Sequence, residues 1–158
     1  NLGPDSVFDV YMVGAVQEEV GTRGAGPSCF GLDPDIGIAI DVTLACDTPG
    51  VEPDHAITRM GEGVAIKIMD SHSISHRGLV DSFVKTAESN SIPFQMEVLP
   101  RGGTDAGPMQ RTGIGRPVIT ISVPCRYVHT VVESVHKKDL QGAVDLLTAW
   151  LKSPQEWS

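Results

Sequence analysis

Residues 36–42 read IGIAIDV, an apolar run in which Asp41 is the single charged side chain. Runs that are apolar at consecutive positions are typical of strands that a sheet buries on both faces. Four further stretches have strand character, and the third of them alternates as a strand near a sheet edge would. They are 7–16 (VFDVYMVGAV), 64–69 (VAIKIM), 94–99 (FQMEVL) and 118–123 (VITISV).

The segments between these stretches carry helical periodicity. Residues 76–89 and 139–151 place apolar side chains three and four positions apart, and Asp139 is a candidate N-cap for the second helix. Shorter helices are predicted at 25–32 and 105–112. Strands that alternate with helices predict an α/β fold, a layered sandwich with a mostly parallel central sheet flanked by helices. In such sheets the functional side chains gather where strands end.

Composition sets limits on the classes of partner. The 158 residues include 12 Lys and Arg against 20 Asp and Glu, which gives a net charge of −8 and argues against nucleic acid as a partner. No apolar run approaches the roughly 20 residues of a membrane span, so we expect no membrane partner. The three cysteines are widely spaced and the chain opens without a signal-like segment. We therefore expect free thiols and a cytoplasmic location.

Side chains with metal-binding or acid–base chemistry stand within or just beyond the apolar stretches. Each has a plain structural alternative: a solvated corner for two adjacent glutamates, a cap or tight turn for two aspartates, and a hydrogen-bonded imidazole for a histidine. Together, carboxylates and imidazole form a donor set that suits Zn²⁺, Co²⁺ or Mn²⁺. The residues are Glu18, Glu19, Asp41, Asp105 and His129.

Four motifs make the sequence similar to a known family. They are VQEEVGTRGA (16–25), AIDVTLACDTPG (39–50), RGGTDAG (101–107) and SVPCRYVHT (122–130). In this order they resemble the tetrahedral, or glutamyl/deblocking, aminopeptidases, which are cytoplasmic co-catalytic metallopeptidases with some members named endoglucanases. The resemblance covers essentially the whole chain and implies a fold like that of the zinc aminopeptidases.

The resemblance implies a role for each candidate residue. Glu18 matches the general base that activates the attacking water, Glu19 and His129 match ligands of one metal ion, and Asp41 matches a ligand of the other. The implied cofactors are two divalent metal ions per complete site, Zn²⁺ or Co²⁺ or alternatively Mn²⁺, and the implied substrates are peptides trimmed from the N-terminus. Residues matching the lining of the site are Gly102, Gly103, Thr104 and Asp105, and Arg23 is expected from its place in the sequence to orient the acidic pair.

The chain also departs from the family pattern. A complete site in the family needs a bridging Asp and a His from an early H-x-D motif, yet no His precedes His55, and neither Asp5 nor Asp9 stands where the bridging Asp should be. The inserted β domain that helps to build dimers and tetrahedral shells is missing as well. We therefore expect residues 1–158 to be the C-terminal part of a catalytic domain that is incomplete on its N-terminal side. The chain alone is expected to be inactive, and the full-length protein to be a homo-oligomer.

Two other classes of function stay open. The chain is alternatively a noncatalytic assembly or binding module that retains an ancestral metal site. Glycan hydrolysis, as the endoglucanase names suggest, ranks lower, because aromatic residues make up only 5% of the sequence and sugar-binding grooves are expected to be rich in them.

Overall fold

The structure is a computed structural model that describes residues 6–157. Its strands are β1 (Gly37–Leu44), β2 (Val64–Met69), β3 (Phe94–Val98), β4 (Val118–Arg126) and β5 (Ser134–Val135). Its α-helices are α1 (Ala25–Leu32), α2 (Arg77–Ser89), α3 (Ala106–Arg111) and α4 (Lys137–Lys152), and a short 3-10 turn covers Pro53–His55. The order along the chain confirms the prediction of an α/β domain. None of the helices in the described part of the chain is long and apolar enough to cross a bilayer.

The sheet is mixed, with parallel pairing predominant. The strand order is β1-β4-β2-β3, and β5 pairs with β4. β1 runs parallel to β4 from Gly37 beside Val118 to Leu44 beside Cys125, and β2 runs parallel to β3. The two parallel pairs meet at a short antiparallel contact between β2 and β4. β3 is an edge strand, as its alternating sequence predicts.

The main core lies on the face of the sheet that α2 and α4 cover. Trp150 of α4 is 1% exposed, and its ring is stacked between Phe83 at 4.7 Å and Phe8 at 4.9 Å between ring centroids. Its indole N–H donates to the hydroxyl of Ser82 over 2.8 Å, which satisfies the one polar group of the buried ring. A smaller cluster on the other face, between β1, β4 and α3, contains Ala39, Val118, Ala106 and Met109.

The strand predicted at 7–16 is wrong. Residues 7–16 form no strand, and several of their apolar side chains are exposed, Met12 by 95%. β-branched residues favour an extended backbone, but a strand also needs a neighbour to complete its hydrogen-bond ladder. Among the described residues, the backbone-to-backbone hydrogen bonds of this stretch are those of Val7 with Leu151 and of Val16 with Gly24.

Asp139 is not the N-cap of the last helix. α4 begins at Lys137, and the imidazole of His136 is the cap, accepting from the N–H of Lys138 at 3.3 Å. Asp139 lies in the first turn, fully buried, where its carboxylate accepts from the N–H groups of Gly61 at 2.6 Å and Gly63 at 3.0 Å. The carboxylate therefore joins the helix start to the loop that enters β2.

These two hydrogen bonds to the carboxylate predict a large loss of stability in Asp139→Ala. Removing the carboxylate leaves two backbone N–H groups without their partner, which is expected to cost about 2–3 kcal/mol of unfolding free energy. Urea denaturation followed by circular dichroism measures it. The control is Asp145→Ala on the exposed face of the same helix, expected to cost about 0.5 kcal/mol or less. Equal losses in both variants would contradict the assigned role.

Candidate metal centre

A tight turn holds the two adjacent glutamates. The carbonyl oxygen of Glu18 accepts from the N–H of Gly21 at 3.1 Å and of Thr22 at 2.7 Å. The chain then folds back so closely that a Cβ on Gly24 would lie 2.6 Å from the carbonyl oxygen of Val16. Glu18 is half-buried and Glu19 is exposed. The glycine-rich sequence after the acidic pair is therefore what allows this turn.

Asp41 lies in the second half of β1. It is half-buried, stands beside Ser122 of β4, and accepts from the N–H of Val42 over 2.7 Å. Because β1 and β4 run parallel, their carboxyl ends reach the same edge of the sheet. The loop that follows β4 therefore lies on the same side as Asp41.

His129 lies in that loop and meets Glu19. Its Nε2 atom is 3.1 Å from the Oε2 atom of Glu19, although 110 positions separate the two residues, and both side chains are 74% exposed. The backbone N–H of His129 donates to the carboxylate of Glu133 over 2.6 Å. The structure thus brings together the two residues predicted to be ligands of one ion.

Backbone strain gathers in these two loops. Of the six non-glycine residues with positive φ in the described chain, four flank or form the candidate centre: Gln17, Thr22, Tyr127 and His129, with φ between 50° and 62°. Left-handed backbone is unfavourable for side chains with a Cβ and persists where surrounding contacts impose it. The contacts of the loops, rather than local preference, therefore hold the acidic pair and the imidazole in position.

The loop from Gly102 to Asp105 is the third loop of the candidate centre. Gly102 has φ of 86°, and a Cβ on Gly103 would lie 2.1 Å from the imidazole of His72, so both positions require glycine. The hydroxyl of Thr104, which is buried, lies 2.9 Å from the hydroxyl of Thr120. Asp105 is the N-cap residue of α3 without a side-chain cap bond, and its Oδ1 is buried with no hydrogen-bond partner among the described residues. That oxygen is a buried acceptor to which no described N–H or O–H group donates.

Electrostatics places the candidate residues in one cluster. Burial raises the pKa of Glu18, the charges of Asp41, Glu19 and Asp105 raise it further, and His129 opposes the change. Burial also raises the pKa of Asp41 and of Asp105. For Asp41, the N–H of Val42 and the charge of Lys67 act in the opposite direction. A cluster of carboxylates that resists ionisation is one that a cation stabilises.

The donor atoms are of the kind that divalent metals prefer, but they form only part of a coordination set. Carboxylate oxygen and imidazole nitrogen suit Zn²⁺ and Co²⁺, and the unpartnered oxygen of Asp105 fits a place beside a cation. Within residues 6–157, however, no three His, Cys, Asp or Glu side chains are placed to hold one ion together. The cluster therefore has the chemistry of a metal centre and fewer ligands than a closed one.

Arg23 has a different contact from the one expected. Its guanidinium Nε donates to the carbonyl oxygen of Val20 over 2.9 Å. Between residues 6 and 157, no ion pair joins Arg23 to Glu18 or Glu19. Arg23 therefore stabilises the turn that carries the acidic pair through a backbone carbonyl and not through the carboxylates.

Two sets of charged residues beside the centre were missed in the sequence. Arg126 holds Asp47 through two bonds of 2.7 and 2.9 Å, an ion pair that lowers the pKa of Asp47 and ties the end of β4 to the loop after β1. Lys67 and Glu97 are paired inside the sheet at 2.9 Å. Their signal in the sequence is a charge in the middle of a strand-like run, and nothing local shows which charge pairs with which.

Comparison with known proteins assigns the family. The M42 glutamyl aminopeptidase model matches residues 3–146. The chain belongs to the M42 glutamyl aminopeptidase family.

Relatives of this M42 chain support the assignment. A protein of Acetivibrio thermocellus that carries an aminopeptidase name is 43% identical over 139 residues, covering 88% of the chain and 42% of the relative. The lysyl aminopeptidase of Pyrococcus furiosus is 36% identical over 91% of the chain and 40% of its own length. The glutamyl aminopeptidase of Lactococcus lactis is 37% identical over 90% and 39%. The M42 chain thus spans about two fifths of the length of the curated relatives it matches.

Solved structures agree with the M42 assignment. Aminopeptidase APDkam598 of Desulfurococcus kamchatkensis matches with a TM-score of 0.86 and 42% identity, covering 88% of the chain and 40% of that protein. The TET1 peptidase of Pyrococcus horikoshii, described as assembling into a tetrahedron or an octahedral shell, matches at 0.74 and 34%, covering 88% and 39%. A Thermotoga maritima structure named an endoglucanase matches at 0.62 and 25%, covering 81% and 37%. The similarity to aminopeptidases and to an endoglucanase-named structure confirms the family resemblance that the four motifs indicated.

The raised pKa of Asp41 predicts how its charge affects stability. A carboxyl whose pKa is higher folded than unfolded favours folding while protonated, and this contribution is lost as pH rises through the folded-state value. In the metal-free chain, Asp41→Asn is therefore expected to raise the thermal midpoint at pH 7 by roughly 2–4 °C. Well below the ordinary pKa of 3.8, the two proteins should unfold together.

Thermal scans at several pH values measure this effect, with Asp54→Asn as the control because Asp54 is an exposed carboxylate outside the cluster. A lower midpoint for Asp41→Asn at pH 7 would show that the ionised carboxylate stabilises the fold and would contradict the prediction.

Proposed function

We propose that the chain is the C-terminal part of the catalytic domain of a metal-dependent aminopeptidase that removes N-terminal residues from peptides. The observation that carries the proposal is the contact between His129 and Glu19 in an M42 chain, with the half-buried Glu18 beside it in the field of Asp41 and Asp105. An acid–base carboxylate next to a group of metal-type ligands is the arrangement that metal-assisted hydrolysis needs.

The residues divide into ligands and a base. Glu19 and His129 would hold one divalent ion and Asp41 the other, with Zn²⁺ or Co²⁺ as the first choices and Mn²⁺ as an alternative. When bound, the ions supply Lewis acidity toward the scissile carbonyl and favour a nucleophile at neutral pH. Glu18 would accept a proton on its carboxylate from the attacking water and deliver it to the leaving amine. Its raised pKa suits that exchange, because a base works best with a pKa near the working pH.

The remainder of the domain has to come from elsewhere. The described residues would provide two ligands for one ion and one for the other, and the curated relatives are more than twice as long. We propose that residues 1–158 alone bind metal weakly and turn over no substrate. The N-terminal part would supply the missing ligands and cover the exposed stretch 7–16 and the open edge of β1.

The proposals for the assembly, location and substrates of the complete protein are more general than the one for the site. By similarity to the TET1 peptidase, we propose that the complete protein is a homo-oligomer. We propose a cytoplasmic location, because the three cysteines of this chain are free thiols. The substrate class is proposed as peptides only, because relatives with similar identity carry lysyl and glutamyl names.

Complementation tests the proposal. Residues 1–158 are mixed with the N-terminal part of the Acetivibrio thermocellus relative, the portion that this chain does not match, and assayed on aminoacyl-anilides with added Co²⁺. No turnover is expected from the chain alone, and measurable turnover is expected from the mixture. Glu18→Gln should lower the restored rate by about 10²–10⁴-fold. The control Glu62→Gln, at an exposed site away from the centre, should leave the rate unchanged.

Two outcomes would overturn parts of this. Robust turnover by the chain alone that Glu18→Gln abolishes would refute the need for a second part. A mixture that forms a complex yet neither binds Co²⁺ nor turns over would refute the metallopeptidase itself.

A noncatalytic assembly or binding module is the second candidate. It is favoured by the absence, among the described residues, of three ligands that converge on one ion. Calorimetric titration of the complemented protein with Co²⁺ separates the two, because the absence of any divalent binding would favour the module. Release of reducing sugar from a cellulose oligomer would instead favour the hydrolase that the Thermotoga maritima structure's name suggests.

A further inference from the structure

A buried ion cluster lies behind the candidate metal centre. Lys67, in the middle of β2, is 0% exposed, and its Nζ atom is 2.9 Å from Oε1 of Glu97 and 3.7 Å from Oδ2 of Asp70. Removing charges from water costs more than such pairing usually returns, so an apolar trio of the same size would serve the core at least as well. The cluster therefore needs a reason beyond stability.

One arm of the cluster reaches the strand of Asp41. The hydroxyl of Thr43 donates to Oε1 of Glu97 over 2.5 Å, and Thr43 is 3% exposed. Thr43 is two positions after Asp41 in β1, so both side chains leave the same face of the sheet. Glu97 thus fixes the end of the strand that presents the predicted ligand.

The other arm reaches the loop of Asp105. Oδ1 of Asp70 accepts from the N–H groups of His72 and Ser73 and from the hydroxyl of Ser73, at 2.7–3.0 Å. Its other oxygen, Oδ2, faces Lys67 and lies 3.4 Å from the hydroxyl of Thr104. Thr104 immediately precedes Asp105. Asp70 thus anchors the loop that carries the carboxylate with the unpartnered oxygen.

The positive charge of Lys67 holds these two arms together. Glu97 and Asp70 belong to different elements and would repel each other in the interior without a positive charge between them. Lys67 supplies that charge from β2, which Asp70 directly follows and which pairs with the β3 strand of Glu97. Replacing it by an apolar side chain would release both arms, whereas cutting a single threonine bond would release only one.

We propose that Lys67 is a positioning residue that fixes Asp41 and Asp105 relative to each other by holding Glu97 and Asp70 together. The inference rests on the proposed function for its purpose, since it assigns Lys67 to the support of the metal centre. Its geometric content stands on the contacts of the metal-free chain alone.

The test compares buried-charge variants. Lys67→Met alone leaves two buried carboxylates without a cation, so the double variant Lys67→Met/Glu97→Gln carries the test, because it removes one charge of each sign at nearly constant volume and keeps only the carboxylate of Asp70. The matched control is Asp139→Asn, which disturbs a fully buried carboxylate on α4 away from the centre. Hydrogen–deuterium exchange is followed in the metal-free chain, with the core helix α2 as the internal reference.

The expected result is faster exchange in two segments at once. In the double variant, residues 42–44 and 102–106 should exchange at least about tenfold faster relative to α2, which corresponds to about 1.4 kcal/mol of lost local protection. Asp139→Asn should accelerate neither segment relative to α2. Unchanged exchange, or acceleration of one segment only, would overturn the proposal.

A second readout separates positioning from a purely structural role. In the complemented protein, the double variant should bind Co²⁺ about 10–100-fold more weakly, as loss of support behind metal ligands does, and its cobalt absorption should change. Asp139→Asn should bind Co²⁺ like the unmodified protein. Equal Co²⁺ affinity in the double variant would overturn the proposal. If the unmodified protein binds no Co²⁺, the proposed function fails and the exchange comparison alone decides the role of Lys67.

Discussion

Parallel pairing between β1 and β4 is the constraint on which the rest of the structure depends. Two parallel strands cannot be joined by a short turn, so the chain between them must leave the sheet edge and return. That long connection contains β2, α2, β3 and α3, and it brings Asp105 close enough to Asp41 for its charge to raise the pKa of Asp41. The loop after β4 then carries His129 toward Glu19. Residues from four separate parts of the chain form one electrostatic cluster because two strands share a direction.

The two faces of the sheet have different roles, one in the stability of the fold and the other in supporting the candidate metal centre. One face packs Ile66, Ile119 and Ile121 against α2 and α4 and supplies the apolar burial that stabilises the fold. The other face buries Lys67, Glu97, Thr120 and Ser122. Polar groups in a dry interior contribute little net stability but impose directions on their partners. The free-energy cost of burying these polar groups is therefore borne on the face of the sheet that carries Asp41, where the orientation of side chains matters most.

The sequence predicts what is local and misses what depends on a distant partner. The bounds of β2 and α1 agree with their predicted ranges, because apolar periodicity and flanking glycine or proline act within a few residues. The stretch 7–16 has the composition of a strand, yet composition does not provide the neighbour that a ladder requires. Asp139 was read as a cap from its neighbours in sequence, while its partners are two glycines almost eighty positions earlier. The same holds for the candidate centre. The acidic pair, Asp41 and His129 stand out in their motifs, but the role of Lys67 is visible only from its contact with Glu97.

The exposed stretch 7–16 has a consequence for how the chain behaves in solution. A run of β-branched and aromatic side chains with few charges and free backbone groups is a template for adding strands from other molecules. A partner chain that covered it would compete with self-association by mass action, so the colloidal stability of the chain would then depend on the concentration of that partner. The segment that delivers the acidic pair to its place is therefore also the aggregation hazard of the molecule.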